Sequence, residues 1–339
     1  MAKMSKEVRL VVARLDSIIK EYKLENPGRV RDLGSYEQEY KHRLKRCFAE
    51  LEPLVEEAVS LVKVVKYERR GNDPKLSLKQ KVLLLLLKQL CGKSNRAMEW
   101  MLVLFYWLTG IDVSYKTIER LYSDDLVGVA CYNVHVLILK QRGIVSAECC
   151  GDGTGYALFV RVHYATEAKK RKEAIKENDG SAKHVKIIYS FALMDITTRM
   201  YLGYGTSFRS EKEACEHALH LAQQTGIRVQ SLRLDKYYSA EAYVNLCRAY
   251  LGDVKMYLIP KKNIAHFGLG EWCSMLQRFL DDQKAFLKEY FQRNQSESGI
   301  AEDKKRTGWR IPQKLEKRVD TAYTLNALWH NLYWLGKNV

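Results

Sequence analysis

Long apolar runs, paired cysteines and metal-binding histidine patterns are all scarce in this chain of 339 residues. The longest block of large aliphatic residues is Val82–Leu87, whereas a bilayer-spanning helix needs roughly 20 apolar residues. Residues 1–20 lack the apolar core of a signal peptide, and the eight cysteines form no C-x-x-C, so we expect reduced thiols and a cytoplasmic location. The eight histidines show neither H-E-x-x-H nor C2H2 spacing, which argues against a zinc site.

Negative charge is also in short supply. The chain has 56 Lys and Arg against 40 Asp and Glu, which gives a formal net charge of +16 and a pI near 9.3. The excess runs through both halves of the chain, so it is not a basic tail. A wholly basic body favours a polyanionic partner, most simply nucleic acid. The alternative is a generic basic protein that its charge keeps in solution.

The spacing of apolar residues divides the chain into three regions. Residues 1–73 predict basic helices, because apolar residues recur at helical spacing in Val8–Ile19 and Leu51–Val65, with a break at Asn26-Pro27-Gly28. Residues 74–143 predict further helices, and residues 144–339 predict strands that alternate with helices. We therefore expect a helical amino-terminal half and an α/β carboxy-terminal half.

Residues 74–143 predict three consecutive helices with a glycine-containing turn, which resemble a helix-turn-helix. Ser77 and Gln80 have capping-box spacing before the first helix, and Ser114 caps the third. The predicted helices are Leu78–Leu90, Arg96–Leu108 and Tyr115–Tyr122. The side chains that would project from the third helix toward DNA are Lys116, Thr117 and Arg120. The alternative is a plain helical bundle with a solvated face.

Residues 144–339 open with strands and close with helices. Two β-prone runs, Val185–Met194 and Met200–Phe208, flank a turn at Asp195–Arg199 and predict an antiparallel pair. The elements predicted after them are a helix Glu211–Thr225, a strand Val229–Leu234, a helix Ser239–Leu251 capped by Ser239, a strand Lys255–Pro260, and helices from Trp272 to about Lys305 and over Thr321–Leu335. This order implies a mixed sheet with helices on its faces.

Two aspartates sit at predicted strand ends. Asp152 follows a β-prone segment within Gly-Asp-Gly-Thr-Gly, and Asp235 ends a strand before a helix. Ligand-binding groups of open sheets gather at the carboxyl ends of strands. Clustered carboxylates repel, so their burial together requires a cation, and hard oxygen ligands favour Mg²⁺ or Mn²⁺. The alternative is that Asp235 is a turn former beside a helix N-terminus and Asp152 serves a glycine-rich loop. Asp195 is a rival ligand for which a turn role fits better, and Lys236 beside Asp235 is placed to reach DNA.

The sharpest pattern is the spacing Y-x2-R-x3-E-x6-K late in the chain. At about 100° per residue, all four side chains fall on one narrow face of a helix. A carboxylate among cations on one face suits a phosphate enzyme that depends on a metal ion. The four residues are Tyr290, Arg293, Glu297 and Lys304. Gly299 predicts a kink or a close approach in that helix. The alternatives are a solvated charged face, or Glu302 or Asp303 in place of Glu297, although neither completes the pattern.

Asp152, Asp235 and the spacing around Glu297 together resemble the DDE transposases of bacterial and archaeal insertion sequences, in the branch with the Y-R-E-K signature. The resemblance covers about residues 145–339. It implies an RNase H-like catalytic core in which Asp152 lies on the first strand, Asp235 follows the fourth, and Glu297 lies on a later helix. In related transposases the interval between the last two acids can hold a β-rich insertion, and here His266–Trp272 predicts a short version.

The resemblance also implies a chemistry and partners. Asp152, Asp235 and Glu297 would hold two Mg²⁺ (or Mn²⁺) ions, which would support cleavage that frees a 3′-OH and attack of that hydroxyl on target DNA. The residues that it implies for DNA contact are Tyr290, Arg293 and Lys304. The partner is double-stranded DNA at the element ends and at the target, held by at least a homodimer in a prokaryotic cytoplasm.

Two other functions fit parts of the sequence. One is an RNase H-like nuclease that cuts branched or damaged DNA without joining strands. The other is a helix-turn-helix DNA-binding regulator whose sheet domain is structural. Strand joining separates a transposase from the nuclease, and cutting that depends on Mg²⁺ separates both from the regulator.

Overall fold

The structure, a computed structural model, describes residues 2–27, 32–63, 75–104, 106, 110–157, 187–262, 264 and 270–336. Helices form its amino-terminal part, and a five-stranded mixed sheet with flanking helices follows. The α/β class and the mixed sheet predicted from the sequence are confirmed. No helix of the described residues is long and apolar enough to span a membrane.

The amino-terminal part consists of α1 (Ala2–Glu25), α2 (Leu33–Ser60), α3 (Leu78–Leu90), α4 (Asn95–Leu104), α5 (Tyr115–Leu121) and α6 (Asp125–Gln141). α1 ends directly before the predicted break at Asn26-Pro27. The helix is tied to the rest of the molecule, because the Arg9 guanidinium donates a 2.8 Å hydrogen bond to the carbonyl of Ile264. The helical character predicted for this part is confirmed over its described residues.

The helix termini predicted in residues 74–143 are largely confirmed. α3 has its predicted bounds and a complete capping box: the Gln80 N–H donates to Ser77 Oγ at 3.2 Å, and the Ser77 N–H donates to Gln80 Oε1 at 2.9 Å. Ser114 caps α5 by accepting from the Thr117 N–H. α5 contacts α3 and α4. Residues 105, 107 and 108 of the second predicted helix lie outside the described residues, and the helix-turn-helix itself stays a prediction.

The sheet contains β1 (Ser146–Ala157), β2 (Ile187–Asp195), β3 (Tyr201–Ser207), β4 (Arg228–Arg233) and β5 (Lys255–Tyr257) in the order β3-β2-β1-β4-β5. β1, β2 and β3 pair antiparallel, whereas β4 pairs parallel to β1 and β5 parallel to β4. β2 and β3 confirm the predicted antiparallel pair. The β1–β4 pairing ends at Cys150 and Arg233, and beyond that point β1 continues as the partner of β2, with an isolated parallel bridge from Ala157 to Arg310.

The helices of this half are α7 (Glu211–Gln224), α8 (Glu241–Leu251), α9 (Glu271–Asp281), α10 (Gln283–Tyr290), α11 (Asn294–Thr307) and α12 (Glu316–Leu335). Because side chains alternate along a strand, successive residues of β1 meet different helices. Gly153 lies against Glu211 of α7, whereas Thr154 accepts a 2.5 Å hydrogen bond from Lys304 of α11. The sheet is thus covered by α7 on one face and by α11 on the other.

Three predicted elements differ from the structure. The helix expected to start at Ser239 begins at Glu241, and Ala240 at its N-cap makes no side-chain cap, so the prediction of a Ser239 cap is wrong. The strand predicted to reach Pro260 ends three residues earlier. The single helix predicted from Trp272 is broken, since the Asp282 side chain caps α10 and a 3₁₀ turn at residues 291–293 precedes α11. The short insertion predicted at His266–Trp272 falls mostly on residues 265–269, outside the described residues.

Candidate active site

Asp235 lies just beyond the carboxyl end of β4, as its sequence context predicts, whereas Asp152 lies within β1, which continues to Ala157, so the predicted strand end at Asp152 is wrong. Asp152 is on β1, two residues beyond the last β1–β4 pair, and Asp235 follows β4 by two residues. The Asp235 carboxylate also accepts the Tyr237 N–H at 3.1 Å, which caps a 3₁₀ turn over Lys236–Tyr238. Both aspartates therefore lie two residues past the end of the β1–β4 ladder.

Arg293 links the carboxylates that the sequence predicts to meet. Its Nη1 lies 2.7 Å from Oε1 of Glu297, and its Nη2 lies 3.5 Å from Oδ1 of Asp235. The guanidinium also lowers the pKa of Asp152, which places the third carboxylate within its field. Arg293 thus pairs with Asp235 and Glu297, and Asp152 lies near enough for these three charges to act on its pKa.

Asp152 carries a strongly perturbed pKa. Burial is the main cause that raises the pKa of its carboxyl to about 7, and the nearby charges of Glu297 and Asp235 raise it further. Arg293 and a 3.0 Å hydrogen bond from the Gly153 N–H act in the opposite direction. A carboxyl near neutrality, buried among other acids, favours the arrival of additional positive charge.

Asp152→Asn should stabilise the protein at neutral and alkaline pH. The pKa of Asp152 is higher in the folded than in the unfolded state, so the stability it contributes is present below pH 4 and is lost as the pH rises through 7. At about 1.4 kcal/mol per pKa unit, the loss is on the order of a few kcal/mol. We expect the melting temperature of Asp152→Asn to match the parent's near pH 4 and to exceed it by several degrees at pH 8, without added metal.

Thermal unfolding monitored by circular dichroism at several pH values measures this difference. The exposed Asp16→Asn change on α1 is the control, and we expect it to shift the melting temperature by about 1 °C or less at every pH. A melting temperature of Asp152→Asn equal to the parent's at pH 8 would contradict the burial of an ionised carboxylate.

The four residues of the Y-R-E-K spacing do not share one continuous helix. Tyr290 ends α10, Arg293 ends the 3₁₀ turn, and the other two lie on α11. The first three nonetheless meet, because the Arg293 guanidinium lies 5.5 Å from the centroid of the buried Tyr290 ring and pairs with Glu297. The prediction of a single helix is therefore wrong. Tyr290, Arg293 and Glu297 nonetheless lie next to one another, as they would on one face of a helix.

Lys304 is buried against β1. Its Nζ donates to Thr154 Oγ1 at 2.5 Å and to the Gly155 carbonyl at 3.2 Å, and it lies 4.8 Å from the centroid of the Tyr156 ring. Burial lowers the pKa of Lys304 to about 8, and the negative charge of Asp152 counteracts this shift. Lys304 therefore joins α11 to the strand of Asp152, and its contact with DNA stays a prediction.

The remaining predicted DNA contacts are exposed. Lys236 lies in the 3₁₀ turn after Asp235, and Lys116 and Arg120 lie on α5. Exposure leaves all three side chains able to reach a phosphate, and their roles stay predictions.

Two of the three rival carboxylates, Asp195 and Asp303, have structural partners. Asp195 accepts hydrogen bonds from the N–H and Oγ1 of Thr198, both at 2.7 Å, so the predicted turn role is confirmed. Asp303 is buried, accepts from Tyr201 at 2.6 Å and lies 2.8 Å from His330 Nδ1. Asp303 therefore fixes α11 to its neighbours.

Arg233 is a residue that the sequence interpretation missed. Its side chain is fully buried at the end of β4, donates to Ser231 Oγ at 2.5 Å and to the Glu289 carbonyl at 3.2 Å, and pairs with the Glu289 carboxylate. It thereby fixes the strand before Asp235 to the helix that ends at Tyr290. An arginine between two leucines carries no signal of such a partner, because Glu289 lies 56 residues away.

The donor set of the site suits a hard divalent cation. Across the part of the chain that the structure describes, no three His, Cys, Asp or Glu side chains form a ready-made metal site. The Arg293 guanidinium instead lies between Glu297 and Asp235 and supplies the positive charge. Three carboxylates, one of them with a raised pKa, are the ligands that Mg²⁺ and Mn²⁺ prefer, so the residues fit such an ion if Arg293 moves aside.

Comparison with known proteins identifies a transposase as a relative of this chain. No family model matches the chain. The chain is 41% identical over 293 residues to a protein of Archaeoglobus fulgidus described as a probable transposase for insertion sequence element ISA1214. The aligned part covers 86% of this chain and 84% of that protein.

Proposed function

Since this chain belongs to the insertion-sequence transposases, we propose that it cuts DNA at the ends of an element and joins those ends to target DNA. The observation that supports the proposal is that Arg293 pairs with both Asp235 and Glu297, while the charges of these three residues act on the pKa of Asp152. The positions of Asp152, Asp235 and Glu297 on β1, after β4 and on a later helix agree with the RNase H-like core that the resemblance implies. The proposed enzyme is thus a DDE transposase.

The three carboxylates would hold two Mg²⁺ or Mn²⁺ ions, which when bound activate a nucleophile and stabilise the charge of the leaving oxygen. Asp152 must lose its proton to act as a ligand, and its pKa of about 7 makes that loss easy at neutral pH. Glu297 and Asp235 must release Arg293. The released guanidinium would then lie beside the metal site and could bind the DNA phosphate there.

Arg293 is suited to that phosphate for a second reason. Its Nε is buried and has no hydrogen-bond partner within the described chain. A buried donor without a partner costs about 1–3 kcal/mol, and a phosphate oxygen would satisfy it. We therefore propose that Arg293 binds a phosphate near the scissile bond and that the Tyr290 ring packs against its guanidinium.

Arg293→Ala should weaken binding of end DNA by at least tenfold at low salt and reduce the slope of log K against log salt by about 1. We expect both the weaker binding and the smaller slope because the variant loses one contact with a DNA phosphate. Fluorescence anisotropy over 50–300 mM NaCl measures both quantities. Arg248→Ala, which removes a partly exposed arginine of α8 that pairs with Asp253, is the control. A salt slope equal to the parent's would contradict phosphate contact by Arg293.

Recognition of the element end is assigned to the amino-terminal helices. Lys116 and Arg120 lie exposed on α5 and would face the DNA as in a helix-turn-helix, while Lys236 would reach the backbone near Asp235. Pairing of two ends would require a homodimer or a larger assembly.

The proposal is tested with the full chain, its own terminal DNA labelled on either strand, and Mg²⁺. End-specific cleavage followed by joining of the 3′-OH to target DNA supports a transposase. Cleavage without joining favours the nuclease, and binding without cleavage in Mg²⁺ or Mn²⁺ favours the regulator. The last two results overturn the proposal.

A further inference from the structure

Glu211 is an acidic side chain beside Asp152 that the three-carboxylate site does not include. It is the first residue of α7, on the face of the sheet away from α11. Its side chain reaches over β1 at Gly153, the residue directly after Asp152.

Gly153 is the feature that permits this approach. A Cβ at position 153 would lie 2.6 Å from Cγ of Glu211 and nearer still to its carboxylate carbon, a distance that real Cβ atoms do not show. Gly153 lies within β1 and is not among the glycines with positive φ, so its backbone does not itself require glycine. The missing side chain at Gly153 therefore serves the placement of the Glu211 carboxylate.

Tyr238 holds that carboxylate from the other side. Its hydroxyl donates a 2.5 Å hydrogen bond to Oε1 of Glu211, and its buried ring packs edge-on against Phe191 at 5.6 Å. Tyr238 belongs to the 3₁₀ turn that the Asp235 carboxylate caps. Glu211 is thus tied to the strand of one proposed metal ligand and to the turn of another.

Three distances set an upper limit on the separation between the carboxylates of Glu211 and Asp152. Oδ1 of Asp152 is 3.0 Å from the Gly153 nitrogen, a Cβ position lies about 2.5 Å from its own nitrogen, and Oε1 of Glu211 lies closer than 2.6 Å to that position. The two carboxylate oxygens are therefore no more than about 8 Å apart. A divalent cation with one bridging water molecule joins carboxylate oxygens up to about 7 Å apart, a separation that this upper limit allows.

We infer that Glu211 is a fourth carboxylate of the cation site of Asp152, Asp235 and Glu297, acting on the bound ion directly or through a water molecule. The inference rests on the proposed function for the existence of that site. The competing role is purely structural: an acidic residue in the first turn of a helix, which also accepts from a buried tyrosine. The two roles differ in one respect, because only the first needs the negative charge of Glu211 for metal affinity.

The test measures Mn²⁺ binding by the full chain without DNA, by electron paramagnetic resonance of the free ion. Glu211→Gln removes the charge but keeps an oxygen that accepts from Tyr238. We expect it to weaken Mn²⁺ binding by at least about tenfold, the range in which outer ligands act. Glu216→Gln is the matched control, since Glu216 lies on the same helix and accepts from the Tyr250 hydroxyl at 3.1 Å; we expect affinity within twofold of the parent.

Gly153→Ala provides a second route to the same result. The added methyl group should displace the Glu211 carboxylate and weaken Mn²⁺ binding about as much as Glu211→Gln, and the double variant should bind no more weakly than either single one. Parent-like affinity in Glu211→Gln overturns this inference and leaves the three-carboxylate site intact. A parent protein that binds no Mn²⁺ would overturn the cation site itself, so the two failures are distinguishable.

Discussion

Asp152→Asn, Asp235→Asn and Glu297→Gln should each lower the rate of Mg²⁺-dependent end cleavage by at least about 1,000-fold, while the affinity for end DNA stays within about threefold of the parent's. Each change keeps the size of the side chain and removes one anionic ligand. The proposed chemistry depends on the combined negative charge of the three carboxylates. Removing one of them should therefore lower the cleavage rate nearly as much as removing two.

Cleavage of labelled end DNA under single-turnover conditions measures the rate, and anisotropy measures binding on the same preparations. Glu302→Gln is the matched control for Glu297, because both lie on α11 and Glu302 was its rival in the sequence. We expect Glu302→Gln to cleave within about fivefold of the parent. Parent-like cleavage by Glu297→Gln with loss in Glu302→Gln would move the third ligand to Glu302.

The local signals in the sequence predicted the parts of the fold that short-range interactions determine. The capping box of Ser77 and Gln80 forms as expected, and α3 has its predicted bounds. Two β-prone runs around a turn located β2 and β3, and both strands are buried along almost their whole length. Gly299 predicted a kink or a close approach, and the structure has the close approach: α11 is continuous there and packs against His330.

The parts that the sequence did not predict depend on contacts between distant segments. Asp282 and Ser239 are both good capping residues, yet only the first caps a helix, because tertiary packing decides where the chain turns. Arg233 and Glu289 form their buried pair across 56 residues. Pairings of this kind leave no periodicity in the sequence. The position of Asp235 beside Arg293 is therefore visible only in the folded structure.

Gly299→Leu should lower end cleavage by about 100-fold or more and lower the melting temperature by several degrees. A Cβ on Gly299 would already lie 3.2 Å from Cε1 of His330, 3.3 Å from Sδ of Met194 and 3.4 Å from the Tyr201 hydroxyl. A leucine there overpacks the contact, at a cost of about 1–3 kcal/mol. It pushes α11 from the sheet, and a 1 Å displacement of a reacting group can lower a rate about 100-fold.

The effect on cleavage follows from what α11 carries. Glu297 lies two residues before Gly299, and Asp303 is held by Tyr201 and His330, the groups that a leucine would strike. The helix therefore cannot retreat without loosening the bonds that hold it. Single-turnover cleavage and thermal unfolding of the same protein measure both effects.

Gly128→Leu is the control that measures the effect of replacing a helical glycine by leucine where no close contact is present. Gly128 lies within α6, is exposed, and has no atom within 4 Å of a Cβ, so leucine there should raise stability by up to about 1 kcal/mol through helix propensity and leave cleavage unchanged. The same substitution should thus change stability in opposite directions at the two positions. A Gly299→Leu protein that melts lower but cleaves at the parent's rate would show that Glu297 does not depend on the seating of α11, and the third ligand would then have to come from a part of the chain that this contact does not position.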